Sequence, residues 1–391
     1  MRAVRLPVAF MPLVDAAPLI VAQEMGFAAA EGLDLDLIAA PSWSSVRDML
    51  AFGRVDAAHL LSPVPIAMAL GLGGVTTALS AVSVLSVNGD VIGVSRRLER
   101  RLRDAGYVFD FSDPVAAGDA LARSVGPAGL TIGAPFPFSM HVELLQTWFA
   151  ATGLRDLPHR IRTVPPPLMA QALESGEIDA FCVGEPWGSV SVEAGDGALL
   201  LPGTAIWAFA PEKVLAVRTD WAETEPHLLG RLMRATWRAA RWLAEPGARI
   251  ATSELLSRAA YLDLPPELID RALSGRLVIS AAGEARDVPN FLLFYRGAAG
   301  FPWRSQAKWI GRQLSSRSGL DPAGAMVKAG QVFRSDLYRD ILGPERADLP
   351  GASEKVEGLL THPTAVASAE GSVILERDAF LDGSVFDPYA G

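Results

Sequence analysis

Ser175 to Val190 reads SGEIDAFCVGEPWGSV. A helix should stop at Gly176, because glycine tolerates the positive φ of a helix end at little cost. Ile178–Val183 follows as an apolar run, too short for a buried helix and suited to a buried parallel strand. Gly184 and Glu185 then open another helix. The same grammar occurs earlier, at Phe52–Ala67, FGRVDAAHLLSPVPIA. Both copies run Gly, one residue, Val or Ile, Asp-Ala, an apolar stretch, then a small or polar residue and Pro. Copies so far apart do not make a solenoid. They predict two similar α/β lobes, each presenting a strand C-terminus and a helix N-terminus. Open α/β sheets bind ligands at such ends, so the expected site is a cleft between the lobes.

Composition agrees with two lobes. The chain has 391 residues, long for one core and comfortable for two. It is 50% hydrophobic and 20% charged, as soluble globular proteins are. The net charge of −9 argues against a nucleic-acid surface, whose footprint would be basic. Cys182 is the single cysteine, so one chain offers neither a disulfide framework nor a cysteine metal site. The opening MRAVRLPVAFMPLVDAAPL lacks the apolar core of a signal peptide. If this is the native start, the expected location is the cytoplasm; a chain trimmed of its signal would look similar.

Along the chain, strands are expected at Arg5–Phe10, Leu33–Ala39, Val55–Leu60 and Val75–Val87. Helices are expected at Ala17–Ala30, Val46–Phe52 (capped from within Pro41–Ser45) and Pro63–Leu70. This is β-α-β-α-β at parallel-sheet spacing. Asn88-Gly89-Asp90 marks either a hairpin or a crossover between lobes. Further strands are expected at Leu130–Ala134, Arg160–Val164, Ala198–Leu201 and Glu212–Val217, with helices at Val115–Val125, Met140–Thr152 and Leu168–Leu173. Ser139 is a cap for the Met140 helix. Trp221 to Leu243 reads as one long amphipathic helix, followed by more helices and an irregular tail over 343–391. The lobes are then 1–88 with 211–391, the latter including a C-terminal extension, and 89–210.

No nucleophile elbow, P-loop or His-Glu-x-x-His occurs. The histidines, His59, His141, His159, His227 and His362, show no metal-ligand spacing. No catalytic residue, metal or cofactor is expected. Features for holding a small anion are better supported. The helix after Ser139 aims backbone N–H groups at its start, with His141 in its first turn, and the helix after Gly184 does the same. Lys213 offers a point charge, and Trp43 an indole donor and a flat wall. Each has a plainer reading: His141 and Glu185 as structural helix-start residues, Trp43 as a core plug, Lys213 as a surface lysine. Trp303, Arg304, Lys308 and Trp309 read as a surface-facing cluster, either core plus solvated charge or a partner patch.

At these residues the chain resembles a known family. PLVDAAPLIVA from Pro12, SWSSVRD from Ser42, FGRVDAAHLLSP from Phe52, NG at Asn88, VGEPW from Val183, PEKVL from Pro211 and RGAAGFPWRS from Arg296 are similar to the nitrate- and bicarbonate-binding proteins of NrtA and CmpA type. The resemblance covers roughly residues 5–340 and implies a type II periplasmic-binding-protein fold, α/β, with two lobes closing on a ligand. It places the ligand shell on Trp43, Asn88, Gly89, Asp90, His141, Pro166 or Pro167, Val183, Gly184 and Lys213. Bicarbonate-type members replace the lysine by a carboxylate that helps to hold calcium, so Lys213 favours nitrate or nitrite. An amide is expected near Asp90; a carboxylate there repels an anion unless it turns away or is protonated. Lys213→Glu is accordingly expected to abolish anion binding and leave the fold intact.

The missing signal sequence points further, to cytoplasmic sensors of the NasS kind. The resemblance then implies a NasT-type antiterminator protein as partner, held until ligand arrives, with no direct nucleic-acid or membrane contact. The alternatives are a transport binding protein whose signal was removed, and an enzyme of the same fold such as a pyrimidine-precursor synthase. The last needs a His or Cys cluster that the spacing does not show.

Overall fold

The computed structural model describes residues 3–126, 129–347, 349–368 and 371–390. Two sheets carry the architecture. The first contains β1 (Val4–Phe10), β2 (Leu33–Ala39), β3 (Ala57–Leu61) and β4 (Leu79–Asn88). The second contains β5 (Asp90–Ser95), β6 (Leu130–Ala134), β7 (His159–Thr163), β8 (Ala180–Gly184) and β9 (Gly197–Pro202). β10 (Pro211–Arg218) returns to the first sheet, giving the order β4-β10-β3-β1-β2 with Leu292–Leu293 outside β4. The second sheet runs β7-β6-β8-β5-β9.

β1 pairs parallel with β2 and β3, as the βαβ spacing predicts. The next strand does not follow suit. β10 inserts between β3 and β4 and runs antiparallel to both. β5 is likewise antiparallel to β8 and β9. Each sheet thus receives one strand from the crossing segments, and the crossing strands lie side by side. Asn88-Gly89 is a crossover: Asn88 takes φ 63° and Gly89 φ 98° between β4 and β5.

Helix boundaries moved where backbone chemistry overrode periodicity. Gly26, at φ 80°, breaks the expected Ala17–Ala30 helix into Ala17–Glu24 and Phe27–Ala30. Pro226 takes the first helical position and splits the long amphipathic stretch into Thr219–Thr224 and Pro226–Leu243. The helix after Pro41 starts at Trp43, not Val46, because the Ser42 side chain accepts from Ser45 N and caps it. Leu168 ends a short 3₁₀ turn, Pro166–Leu168, before the helix Met169–Glu174.

The helices after β10 back the first sheet and reach the second. Arg234 and Arg238 of Pro226–Leu243 bind Glu31 at 2.7 and 2.6 Å. Leu199 N of β9 donates to Ile279 O at 2.8 Å. The 343–391 tail is mostly irregular, as expected, but Thr364–Ser368 pairs antiparallel with Gly371–Leu375. It is pinned by a buried Lys355–Glu357–Asp378 network and by Phe380 stacking on Trp207 at 4.8 Å. Trp303 and Trp309 are buried, so they belong to the core and not to a surface patch. Among the described residues no helix is long and apolar enough to cross a membrane.

Contacts between the halves close the space between the sheets. Val14 N donates to Glu185 O at 3.0 Å, and Trp187 Nε1 to Pro12 O at 2.8 Å. A Cβ on Gly184 would lie 2.7 Å from Leu13 Cδ2, so any larger residue there would force the buried Leu13 side chain to shift.

Candidate functional site

The side chains that converge between the sheets come from five places. Asp15 sits in the turn after β1, and His59 in the middle of β3. Glu212 and Lys213 open β10, Asp90 begins β5, and His141 lies in the first turn of Met140–Ala150. That helix starts where it does because Ser139 Oγ caps Val142 N at 3.3 Å while donating to Phe136 O. Glu212 and Lys213 are neighbours in a strand and should point to opposite faces. They share one pocket because the β10–β4 register shifts on both sides of Lys213. Such a bulge leaves one residue unmatched and re-aims its side chain.

All of these groups are sealed from solvent, none more than 3% exposed. Lys213 Nζ lies 2.8 Å from Asp15 Oδ2 and 2.6 Å from Glu212 Oε1. His59 Nε2 is 3.0 Å from Asp15 Oδ1, and Met11 N donates to His59 Nδ1 at 3.4 Å. His141 Nε2 is 3.0 Å from Asp90 Oδ1, and its Nδ1 is 3.4 Å from Glu212 Oε1. All three histidine–carboxylate pairs are close but off the straight line of a hydrogen bond. Trp43 walls the cluster, its ring 5.5 Å from the His59 ring and 5.5 Å from Lys213 Nζ. Trp43 Nε1 is buried with no hydrogen-bond partner, as is the hydroxyl of Ser86, which stands across from Lys213 on β4.

Burial penalises every charge here, and the neighbours decide which survive. Burial raises the Asp15 carboxyl, but Lys213 and His59 outweigh it and hold Asp15 well below the ordinary range. Lys213 is opposed by burial too, yet Asp15, Glu212 and Asp90 keep it above its usual value, hence charged. Burial, only partly countered by Lys213, raises Asp90 to about 6. Burial and then Asp90 raise Glu212 to about 8. Burial lowers His141 to about 4 and also lowers His59, so both rings are neutral near pH 7. The arrangement is one fixed cation facing three carboxyls, two of which, Asp90 and Glu212, hold protons more tightly than free carboxyls do.

Asp90, His141 and Glu212 offer ligand atoms within 4.8 Å of one another, a spacing a metal ion can use. The Lys213 ammonium, 2.6 Å from Glu212, already supplies a cation at that place. A second positive charge beside it is repelled, so the donor set does not favour a metal.

Of the residues expected from sequence, Trp43, Asp90, His141 and Lys213 meet in the cluster. Gly184 borders it: a Cβ there would lie 3.5 Å from Asp90 Oδ1 and 3.7 Å from Asp15 Oδ2. Lys213 is fully buried, not a surface lysine. Others stand apart. The Asn88 amide is used up on backbone, donating to Ala208 O and Asn290 O and accepting from Ala210 N, so it braces the crossing strands. Gly89 O accepts from Glu185 N at 3.1 Å, which also serves the crossing. Pro167 is exposed while Pro166 is buried. Val183 pairs with Val91 within the second sheet. Asp15, His59 and Glu212 were missed. Each is an ionisable residue inside an apolar run, in VDAAPLIV, AAHLL and PEKVLAV, and that is the signal that could have found them.

Two α/β halves, joined by paired crossing strands and closed over a buried charged cluster, define a periplasmic-binding-protein fold, the architecture of solute receptors. The chain belongs to the NMT1-like family, whose model matches residues 2–257, and to its NrtA/CmpA type. It is 30% identical over 344 residues to the nitrate import ATP-binding protein NrtC of Synechocystis sp., covering 86% of this chain and 49% of that one. It is 29% identical over 398 residues to the nitrate/nitrite binding protein NrtA of Synechococcus elongatus, covering 97% and 82%. The chain therefore spans about half the length of NrtC and most of NrtA. The crystal structure of the periplasmic nitrate-binding protein NrtA from Synechocystis PCC 6803 superposes with a TM-score of 0.82 at 24% identity, over 99% of this chain and 96% of that chain. At that identity the superposition speaks for the fold.

Proposed function

We propose that this protein is a receptor, not an enzyme, and that it closes its two lobes on nitrate or nitrite. The observation that carries the reading is the Lys213 ammonium, sealed between the lobes beside the Trp43 ring and its unpartnered Nε1. A weakly hydrated planar oxyanion needs few donors, one full charge and an apolar wall. The names of the NrtA and NrtC relatives favour the same ligand class. Titration calorimetry with nitrate, nitrite and bicarbonate, with and without calcium, tests it. Tight nitrate or nitrite binding without calcium is expected; binding of bicarbonate alone would overturn it.

We further propose that the receptor acts in the cytoplasm as a sensor, holding a NasT-type antiterminator and releasing it when ligand closes the lobes. The net charge of −9 and the resemblance to NasS-type sensors support this. Coupling must then be reciprocal, so the partner weakens ligand binding. A co-purified complex that stays whole in saturating nitrate would sink it. The second reading, a substrate-binding component of an ABC-type nitrate transporter, is favoured by the transport proteins among the relatives. It requires recovery of the native protein outside the cytoplasm on cell fractionation.

A further inference from the structure

We propose that the Asp90–Glu212 carboxyl pair makes a proton a co-ligand of this site, so that an oxyanion without an acidic hydrogen binds with uptake of one proton near neutral pH. The inference rests on the anion-receptor reading above and adds to it what the ligand must bring along.

The argument is a charge inventory of a closed space. Lys213 is the one cation of the cluster, and Asp15 at 2.8 Å already balances it. Asp90 and Glu212 approach from opposite lobes with carboxyl oxygens inside 4.8 Å. The groups facing them are Lys213 and Asp15 from the first lobe, His59 behind Asp15, His141 from its capped helix, and Cys182 from β8. Burial and the nearby Asp90 and Glu212 push the Cys182 thiol up, so it stays neutral. Both imidazoles are neutral for the reason given above. The two carboxyls titrate as a unit. With Asp90 at about 6 and Glu212 at about 8, they carry one proton between them near pH 7. The sealed cluster thus holds one unmatched negative charge before any ligand arrives.

An anion placed on the third N–H of Lys213 meets that charge at short range in a water-poor space, where repulsion is strong. A second proton on the carboxyl pair removes the repulsion. It also turns an acceptor into an O–H donor within the cluster. No bond is made or broken in the anion; one proton passes from solvent to carboxylate as the ligand enters. Linkage fixes the sign: if binding takes up a proton, affinity rises as pH falls.

The test is calorimetric titration of the intact protein with nitrate in two buffers of different ionisation heat. The wild type is expected to take up close to one proton per nitrate near pH 7. Its affinity should fall about tenfold per pH unit across roughly pH 6 to 8. The double substitution Asp90→Asn with Glu212→Gln should bind with no proton uptake and flat pH dependence. Nitrate binding by the wild type with less than half a proton, or unchanged uptake in the double variant, would overturn the inference alone. The wild-type count stands whether or not the variant folds. Absence of nitrate and nitrite heat in both buffers would overturn the receptor reading, and this inference with it.

Discussion

Arg317, at the end of the helix Arg304–Ser318, pairs with Glu143, which is buried two residues beyond His141 in the opposite lobe. The C-terminal extension therefore grips the helix that carries a site residue. Burial raises the Glu143 carboxyl and Arg317 counters it.

Arg317→Ala should consequently leave a buried carboxyl unpaired in the closed form. The expected cost is about 1–3 kcal/mol in urea unfolding, moderated because Arg317 is partly exposed. Ligand should also leave faster. Glu143→Gln combined with Arg317→Ala should recover much of the stability, and a double-mutant cycle checks the coupling.

Lys213 corrects an expectation. As the positive charge of the cleft it is expected to be exchangeable for glutamate with the fold left intact; sealed between Asp15 and Glu212 it is not. Lys213→Met should destabilise by about 3–5 kcal/mol at pH 7, since buried carboxylates lose their counter-charge. The deficit should shrink toward pH 5, where those carboxyls take up protons. Thermal melts at both pH values measure it, and an equal loss at each would contradict the pairing.

Gly184→Ala puts a methyl group 2.7 Å from Leu13 Cδ2, across the seam between the lobes. Overpacking of this kind costs about 1–3 kcal/mol. Here it should appear as a wider lobe angle and roughly tenfold weaker ligand binding. Small-angle scattering of the ligand-bound variant should show a larger radius of gyration than wild type.

Glu212 makes ligand-free stability depend on pH in a definite direction. Its folded value is raised from 4.5 to about 8. A carboxyl raised in the folded state stabilises most at low pH, and the benefit is lost as pH rises through the folded value. Glu212→Gln, which cannot ionise, should therefore gain on wild type in melting temperature between about pH 5 and pH 8. A constant difference across that window would count against the assignment.

Much of the two-sheet layout can be read in the sequence, because parallel βαβ units announce themselves by spacing. β6 matches its sequence-predicted span, Leu130–Ala134, and Ser139 caps the helix it was expected to cap. The place of β10 cannot be read there: a strand that returns only after the whole second sheet has passed in sequence leaves no local trace of its neighbours. The site was half legible. Trp43, His141 and Lys213 carry donor chemistry at helix starts and a strand edge. Asp15 and His59 lie inside apolar runs, where only tertiary packing shows that they meet. The fate of Asn88 illustrates the converse: a polar residue at the crossing looks like a ligand group until its hydrogen bonds to Ala208, Ala210 and Asn290 are counted.

The bulge in β10 has an evolutionary reach beyond this molecule. Because the local register shift lets Glu212 and Lys213 meet in one cluster, a change of spacing that restored strict alternation would turn one of them out. The sign of the pocket is therefore stored in strand spacing as well as in side-chain identity. A change of spacing alone would alter the charge presented between the lobes, with every other residue of the cluster left as it stands.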